Sequence, residues 1–211
     1  MKKIIIIIGL LVFTACSSIK FVDSWRNEEI TTFKPKKLLV VGMTDNLTAR
    51  KFFEEELKEA FALRGIYAEE STIVFDKTFT KSKKSEAEVN EMIQEIANKG
   101  FDAVVISTVK GVDKKINYPP NYYSVGYRWS HFGHYYLRFQ DVYYNPGYYE
   151  SYTVYNVETS IYNLNEDESK SLVWMGSLNL VDPQTIAPTV KKYVAKIIRQ
   201  LEIEKLIEKR G

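Results

Sequence analysis

The sequence predicts a single α/β domain, with a βαβαβ parallel core followed by a long Tyr-rich insertion, an antiparallel β-hairpin and a C-terminal helix. Three observations lead there. Lys37 to Met43 (KLLVVGM) and Phe101 to Val109 (FDAVVISTV) are short, β-branched and almost unbroken in their apolar character, as strands buried on both faces are. Helical apolar spacing follows the first run and precedes the second, which is the order of a parallel sheet joined by right-handed crossovers. Beyond residue 150 the apolar period drops to two, the mark of strands with one wet face. A chain of 211 residues, 45% hydrophobic and 27% charged, suits one compact domain with appendages.

Residues 1–15 read as a lipoprotein signal peptide. Lys2 and Lys3 make a positive start, Ile4 to Phe13 an apolar run, and Thr14-Ala15 the small residues ahead of a cleavage point. A membrane-spanning helix needs about 20 apolar residues, so this run fits an export signal and is too short for a helical anchor. Cys16 follows at once and is the only cysteine, which rules out an internal disulfide. Its placement resembles a bacterial lipobox, with Phe13 where leucine is usual. The resemblance implies that Cys16 carries lipid, palmitate included. Ser17 after the cysteine, by resemblance to the enterobacterial sorting rule, implies the outer membrane. Without residues 1–15 the chain loses two lysines, and its 27 basic side chains balance 27 acidic ones. That leaves no basic field to hold nucleic acid.

Residues 16–36 are polar and aperiodic around Ser24-Trp25, and read as a tether that joins the sheet or packs Trp25 on it. The domain proper is expected over 37–201. After the first strand, Thr44, Asp45 and Asn46 offer N-caps. Phe53, Leu57, Ala60 and Phe61 then mark a helix that Gly65 stops. Residues 66–75 offer a second strand, and Thr78 to Lys84 a loop. Ser85 and Glu88 have capping-box spacing ahead of Val89, Met92, Ile93, Ile96 and Ala97, and Gly100 closes that helix. After the third strand and the insertion, Tyr155, Val157, Thr159 and Ile161 alternate. A polar turn follows, and then Leu172, Trp174, Leu178 and Leu180 alternate in turn. Asp182-Pro183 has the form of an N-cap with proline first in the helix, ahead of an apolar face from Ile186 to Leu201. Residues 202–211 read as a charged helix end projecting into solvent.

The insertion, residues 118–150, stands out in composition. Between Tyr118 and Tyr155 lie twelve of the fifteen tyrosines, both histidines and Trp129. Tyrosine combines a large apolar ring, few rotors and a polar tip, and so suits stacking on sugars or burial against a protein partner. Self-packing on the domain's own sheet is the competing reading, and membrane-surface contact a third. Tyr122, Tyr123, Trp129, Tyr135 and Tyr136 are the binding candidates. His131 and His134 are three apart, but their neighbours are aromatic and the nearest acid is Asp141, so no metal-ligand set is evident and no cofactor is expected. Gly42 stands alone, without a phosphate-binding loop, and no serine sits in a Gly-x-Ser-x-Gly elbow. Asp45, Asp102 and Asp113 lie near strand ends, yet Asp102 opens its strand and Asp45 has the look of a cap. No catalytic set emerges, and an enzyme is not expected.

Four stretches together carry a family resemblance: Ser24-Trp25, LLVVGMTDNLTARKFFEEEL from Leu38, FDAVVISTVKGVDKK from Phe101 and VYNVETSIYNLNEDESKSLVWMGS from Val154. The chain resembles uncharacterised bacterial envelope lipoproteins, some labelled cardiolipin synthetases without support from their sequences. In element order it is more distantly similar to the amino-terminal domain of TolB and to curli-secretion lipoproteins. That family has no established activity, so the resemblance carries over no catalytic residue; taken with Cys16, Ser17 and the missing catalytic set, it leads to the expectation of a non-enzymatic outer-membrane lipoprotein that faces the periplasm, with a structural or interaction role in the cell envelope. Its partners would be the membrane, through lipid on Cys16, and an envelope protein. The alternative is a glycan- or peptidoglycan-binding module that uses the insertion.

Overall fold

The protein is described by a computed structural model that covers residues 19–31, 33–76, 79–114, 153–165, 171–181, 183 and 185–210. Residues 1–15, read as a signal peptide, Cys16 and the Tyr-rich residues 118–150 lie outside these residues. Among the described residues the chain forms β1 (Ile19–Arg26), β2 (Leu38–Met43), α1 (Leu47–Ala62), β3 (Ala68–Glu70), α2 (Ser71–Val74) and α3 (Glu86–Asn98), then β4 (Ala103–Lys114), β5 (Thr153–Asn163), β6 (Leu172–Val181) and α4 (Ile186–Ile203). The six strands make one sheet in the order β1-β6-β5-β4-β2-β3. The α/β class is as the sequence predicts. β2 pairs parallel with β3 and β4, while β4–β5, β5–β6 and β6–β1 are antiparallel. Two of the five strand pairings are therefore parallel and three antiparallel.

Helices cover both faces. On one face, α1 and α4 set Phe53, Leu57, Phe61, Tyr193, Val194 and Ile197 against Leu38, Val40, Val105, Ile161 and Trp174, in a core that runs from β3 to β1. On the other, α2 and α3 set Val74, Val89, Met92 and Ile96 against Leu39, Val41, Val104 and Ile106. That both faces of β2 are covered explains the unbroken LLVV: all six residues of the strand are buried.

Helix ends follow the glycines. Gly65 and Gly100 have φ of 73° and 77° and let the next amide turn back, Ile66 N–H to the Phe61 carbonyl and Phe101 N–H to that of Ile96. Asn46, the third of the cap candidates, is the one that caps α1, taking the Ala49 amide at 3.0 Å; Asp45 does not. The Ser85–Glu88 capping box forms in both directions.

Four expectations need correction and a fifth is sharpened. The stretch read as a tether that joins the sheet or packs Trp25 on it does join the sheet, as an edge strand, β1, whose bulge at Val22 breaks the apolar alternation. The second strand is only Ala68–Glu70, because Ser71–Val74 turns into a short helix. Leu172 and Trp174 do not share a face: an extra residue, Val173, sits between the pairs Ile161–Trp174 and Tyr162–Leu172 and sends Leu172 into the opposite core. α4 begins at Ile186 behind Thr185, later than Asp182-Pro183 suggested. Pro188 falls in its first turn, where a missing N–H costs little. The charged tail does not project either. Lys205 takes φ of 58°, the Leu206 amide turns back to the Leu201 carbonyl, and Leu206 and Ile207 are buried.

Trp174 is fully buried beside Gly176, where a Cβ would lie 2.2 Å from the indole Cη2. The indole lies over a position that must have no side chain. Its N–H donates to Glu204 Oε2 at 2.9 Å, and Glu204 also takes bonds from Ser24 and Gln200. One carboxylate thereby ties β1 and β6 to the end of α4.

Candidate functional site

Parallel strands bring chemistry to their carboxyl ends, where the next helix begins. Here that end of the sheet carries the close of β2, the start of α1 and, because β4 and β5 are antiparallel, the close of β4 and the opening of β5. Three buried polar clusters lie along it.

The first joins α1 to α2. Glu54 Oε1 accepts from the Gly42 amide at 2.9 Å, from Arg50 Nε at 2.9 Å and from the Ser71 hydroxyl at 2.5 Å, and Arg50 Nη2 donates to Ser71 Oγ at 2.6 Å. Arg50, Glu54 and Ser71 are all buried, and the guanidinium carbon stands 4.5 Å from the centre of the Phe79 ring. Arg50 Nη1 and Glu54 Oε2 have no hydrogen-bond partner among the described residues. Gly42 makes the approach possible, since a Cβ there would come within 3.2 Å of Arg50 Cγ and Phe53 Cδ1. Beside the cluster runs an open groove of about 730 Å³, lined by Arg50 itself with Leu47, Thr48, Lys51, Phe52, Glu55, Glu70 and Thr72. The Ser71 hydroxyl is sealed from that groove and committed to both neighbours, so the cluster works as a brace between helix and strand end.

The second lies under α4. Ser107, Thr159 and Tyr193 bond to one another: Ser107 Oγ to Tyr193 Oη at 2.9 Å, Thr159 Oγ1 to Tyr193 Oη at 2.6 Å and Thr159 Oγ1 to Ser107 Oγ at 3.1 Å. Burial pushes the Tyr193 phenol up to about 12, against the pull of its two hydroxyl partners.

The third is on the opposite face, at the β4 bulge. Lys110 is the extra residue between the pairs Val109–Val157 and Gly111–Asn156, and its Nζ meets Glu158 Oε2 at 2.9 Å. Thr108 stands directly opposite Glu158, with Ser160 two residues along the same face. Glu158 Oε1, Thr108 Oγ1 and Ser160 Oγ are buried without a hydrogen-bond partner among the described residues. Asp113 accepts from Asn156 at 2.8 Å beside them.

Of the residues singled out in the sequence, Cys16, Tyr122, Tyr123, Trp129, Tyr135, Tyr136, His131 and His134 lie outside the described residues. The ends of their segment are placed: Lys114 and Thr153 are direct partners in the β4–β5 ladder. The insertion thus leaves and re-enters in the middle of the sheet's strand order, at a strand end and not at an edge strand. Asp102 accepts the Lys36 and Lys37 amides at the far end of β4, at 2.8 and 3.0 Å, which is a structural clamp. Among the described residues no group of three His, Cys, Asp or Glu could hold a metal. No helix of the described residues is long and apolar enough to cross a membrane.

The three polar clusters escaped sequence reading. Arg50 and Glu54 are four apart on a helix and look like an exposed pair, though arginine ahead of glutamate is the weaker order for a surface pair. That order and the lone Gly42 opposite were the available signals.

The fold is a three-layer α/β/α sandwich with a mixed sheet, and its likenesses are distant. No protein-family model matches the sequence, and no curated protein does. Among solved structures it is similar to PelC from Paraburkholderia phytofirmans, crystallised as a dodecamer, at 10% identity over 87% of this chain and 95% of that one, with a TM-score of 0.42. It is also similar to the lipoprotein GNA1162 from Neisseria meningitidis, at 13% identity over 80% of this chain and 99% of that one, with a TM-score of 0.39. Likeness of this strength carries no inference about activity or partners.

Proposed function

We propose that the protein is a non-enzymatic lipoprotein of the outer membrane, anchored by lipid on Cys16 and facing the periplasm, where its Tyr-rich segment docks onto other envelope components. The observation that carries this reading is Cys16 itself, the sole cysteine, directly behind a charged start, a ten-residue apolar run and Thr14-Ala15. The placement of Lys114 opposite Thr153 supports the docking part, because it makes residues 115–152 a long connection hung from a rigid pair of strands. The buried Arg50–Glu54–Ser71 cluster, its polar groups largely bonded to one another, fits a scaffold role.

Two measurements test it. Cys16→Ser should move the protein from the membrane fraction to the soluble fraction; a variant that stays bound overturns the lipid assignment. Deletion of residues 118–150 should abolish co-purification of envelope proteins from intact cells and leave retention on purified cell wall unchanged. Wall retention that vanishes with the deletion would instead establish the glycan-binding alternative.

A further inference from the structure

The distance between lipid and sheet is short. The sequence suggested a tether of about twenty residues, yet β1 starts at Ile19, so only Ser17 and Ser18 separate it from Cys16. Three residue steps span at most about 10 Å. A chain that short fixes which part of the domain is near the bilayer.

The ladder registers identify that part. Ile19 is in one row with Leu180, Tyr155 and Val112, and the next residues outward are Val181, Val154 and Asp113, then the pair Lys114–Thr153. The start of β1, the end of β6, the start of β5 and the end of β4 therefore share one end of the sheet. β2 runs parallel to β4, so the beginning of α1 lies there too, as does that of α4 after β6. The first residues of these helices, Leu47 and Ile186, are exposed. α3 is held at the opposite end by a bond from Lys37 Nζ to the Lys99 carbonyl, 3.2 Å. Its thirteen residues rise about 20 Å, which brings exposed Lys81 and Lys83, with Asp45 and Glu86, to the same end as Ile19. The far end of β1, Arg26, is about 23 Å away at strand rise.

We infer that this end of the sheet, with Ile19, Leu180 and the Lys114–Thr153 pair, faces the lipid headgroups, so that both attachment points of the Tyr-rich segment are held at the membrane surface. The inference rests on lipidation of Cys16. The domain cannot present its opposite end to the bilayer, because the anchor would have to cross the length of β1. The segment that departs at Lys114 and returns at Thr153 accordingly begins and ends within reach of phosphate headgroups, at the level where tyrosine concentrates in membrane proteins.

The test uses the full-length lipidated protein with one added cysteine at a time, the native one being occupied by lipid. Thr185→Cys marks the near end, Glu28→Cys the far end of β1, and Asn98→Cys the far end of α3. Each is labelled with a fluorophore and reconstituted in phosphatidylethanolamine–phosphatidylglycerol vesicles that carry a headgroup-attached quencher. The label at 185 should be quenched several-fold more strongly than those at 28 and 98. Equal quenching at 185 and 28 would mean that the domain lies on its β1 edge, and stronger quenching at 98 that it is inverted; either overturns the inference. Flotation of the unlabelled protein and of Cys16→Ser is run beside it. Loss of flotation in the variant alone upholds the lipid reading whatever the quenching shows, whereas flotation by neither protein removes both.

Discussion

The hydroxyl cluster under α4 and the ion-pair cluster beside α1 are equally deep in the interior, but one closes its bonds and the other does not. Ser107, Thr159 and Tyr193 each donate and accept, so three neutral groups can satisfy one another within a space the size of a phenol head. Arg50 brings five donors and Glu54 two oxygens; Ser71 and the Gly42 amide crowd onto a single carboxylate oxygen, leaving Nη1 and Oε2 without a partner among the described residues. Burial of neutral hydroxyls is cheap when they are paired, while buried charges keep a desolvation cost that their mutual attraction only partly offsets. The neutral cluster should therefore behave as ordinary packing, and the charged one as a brace that tolerates the loss of both partners better than the loss of one.

The largest expected effect comes from splitting the ion pair. Arg50→Met leaves Glu54 uncompensated and should cost about 3–5 kcal/mol in urea unfolding. The double variant Arg50→Met/Glu54→Leu should regain most of that loss; a double variant as unstable as the single one would show that the brace is needed as a charge pair. Next in size is an alkaline effect on the neutral cluster. Tyr193 ionises at about 12 in the folded chain and near 10 when unfolded, so its contribution is complete below pH 10 and is lost as pH rises to 12, at about 1.4 kcal/mol per pH unit. Unfolding of the wild type minus that of Tyr193→Phe isolates this slope, and equal pH profiles would contradict the burial. Smallest is Tyr193→Phe at neutral pH. Ser107 and Thr159 still bond each other at 3.1 Å, so the cost should be about 1 kcal/mol by thermal melting. A cost as large as that of Arg50→Met would erase the distinction between the clusters.

How much of this was legible depended on whether a feature speaks through local pattern. The runs at Leu38 and Ala103, the Ser85–Glu88 box and the stops at Gly65 and Gly100 declare themselves because each rests on residues within a few positions of one another. Lys205 ends α4 in the same backbone conformation as those glycines, and a lysine gives no hint of it. β1 was hidden because Val22, the bulged residue, breaks the period of two that identifies a strand. The polar clusters were hidden for a further reason: Arg50 meets Ser71 and Ser107 meets Tyr193 only once the sheet is assembled, and side chains far apart in sequence carry no mutual signal in one chain. The candidate tyrosines stood out by composition alone, and composition does not place them.

The direct pairing of Lys114 with Thr153 has a consequence for how such a chain can change over time. An antiparallel pair needs only a two-residue turn, and the entropic cost of a longer connection grows with the logarithm of its length, roughly 0.6 kcal/mol per doubling. The register of β4 against β5 is carried by ten further residue pairs from Ala103–Asn163 to Asp113–Val154, so the strands do not depend on a tight turn to align them, and the closing entropy sets only a weak limit on the length of chain between Lys114 and Thr153.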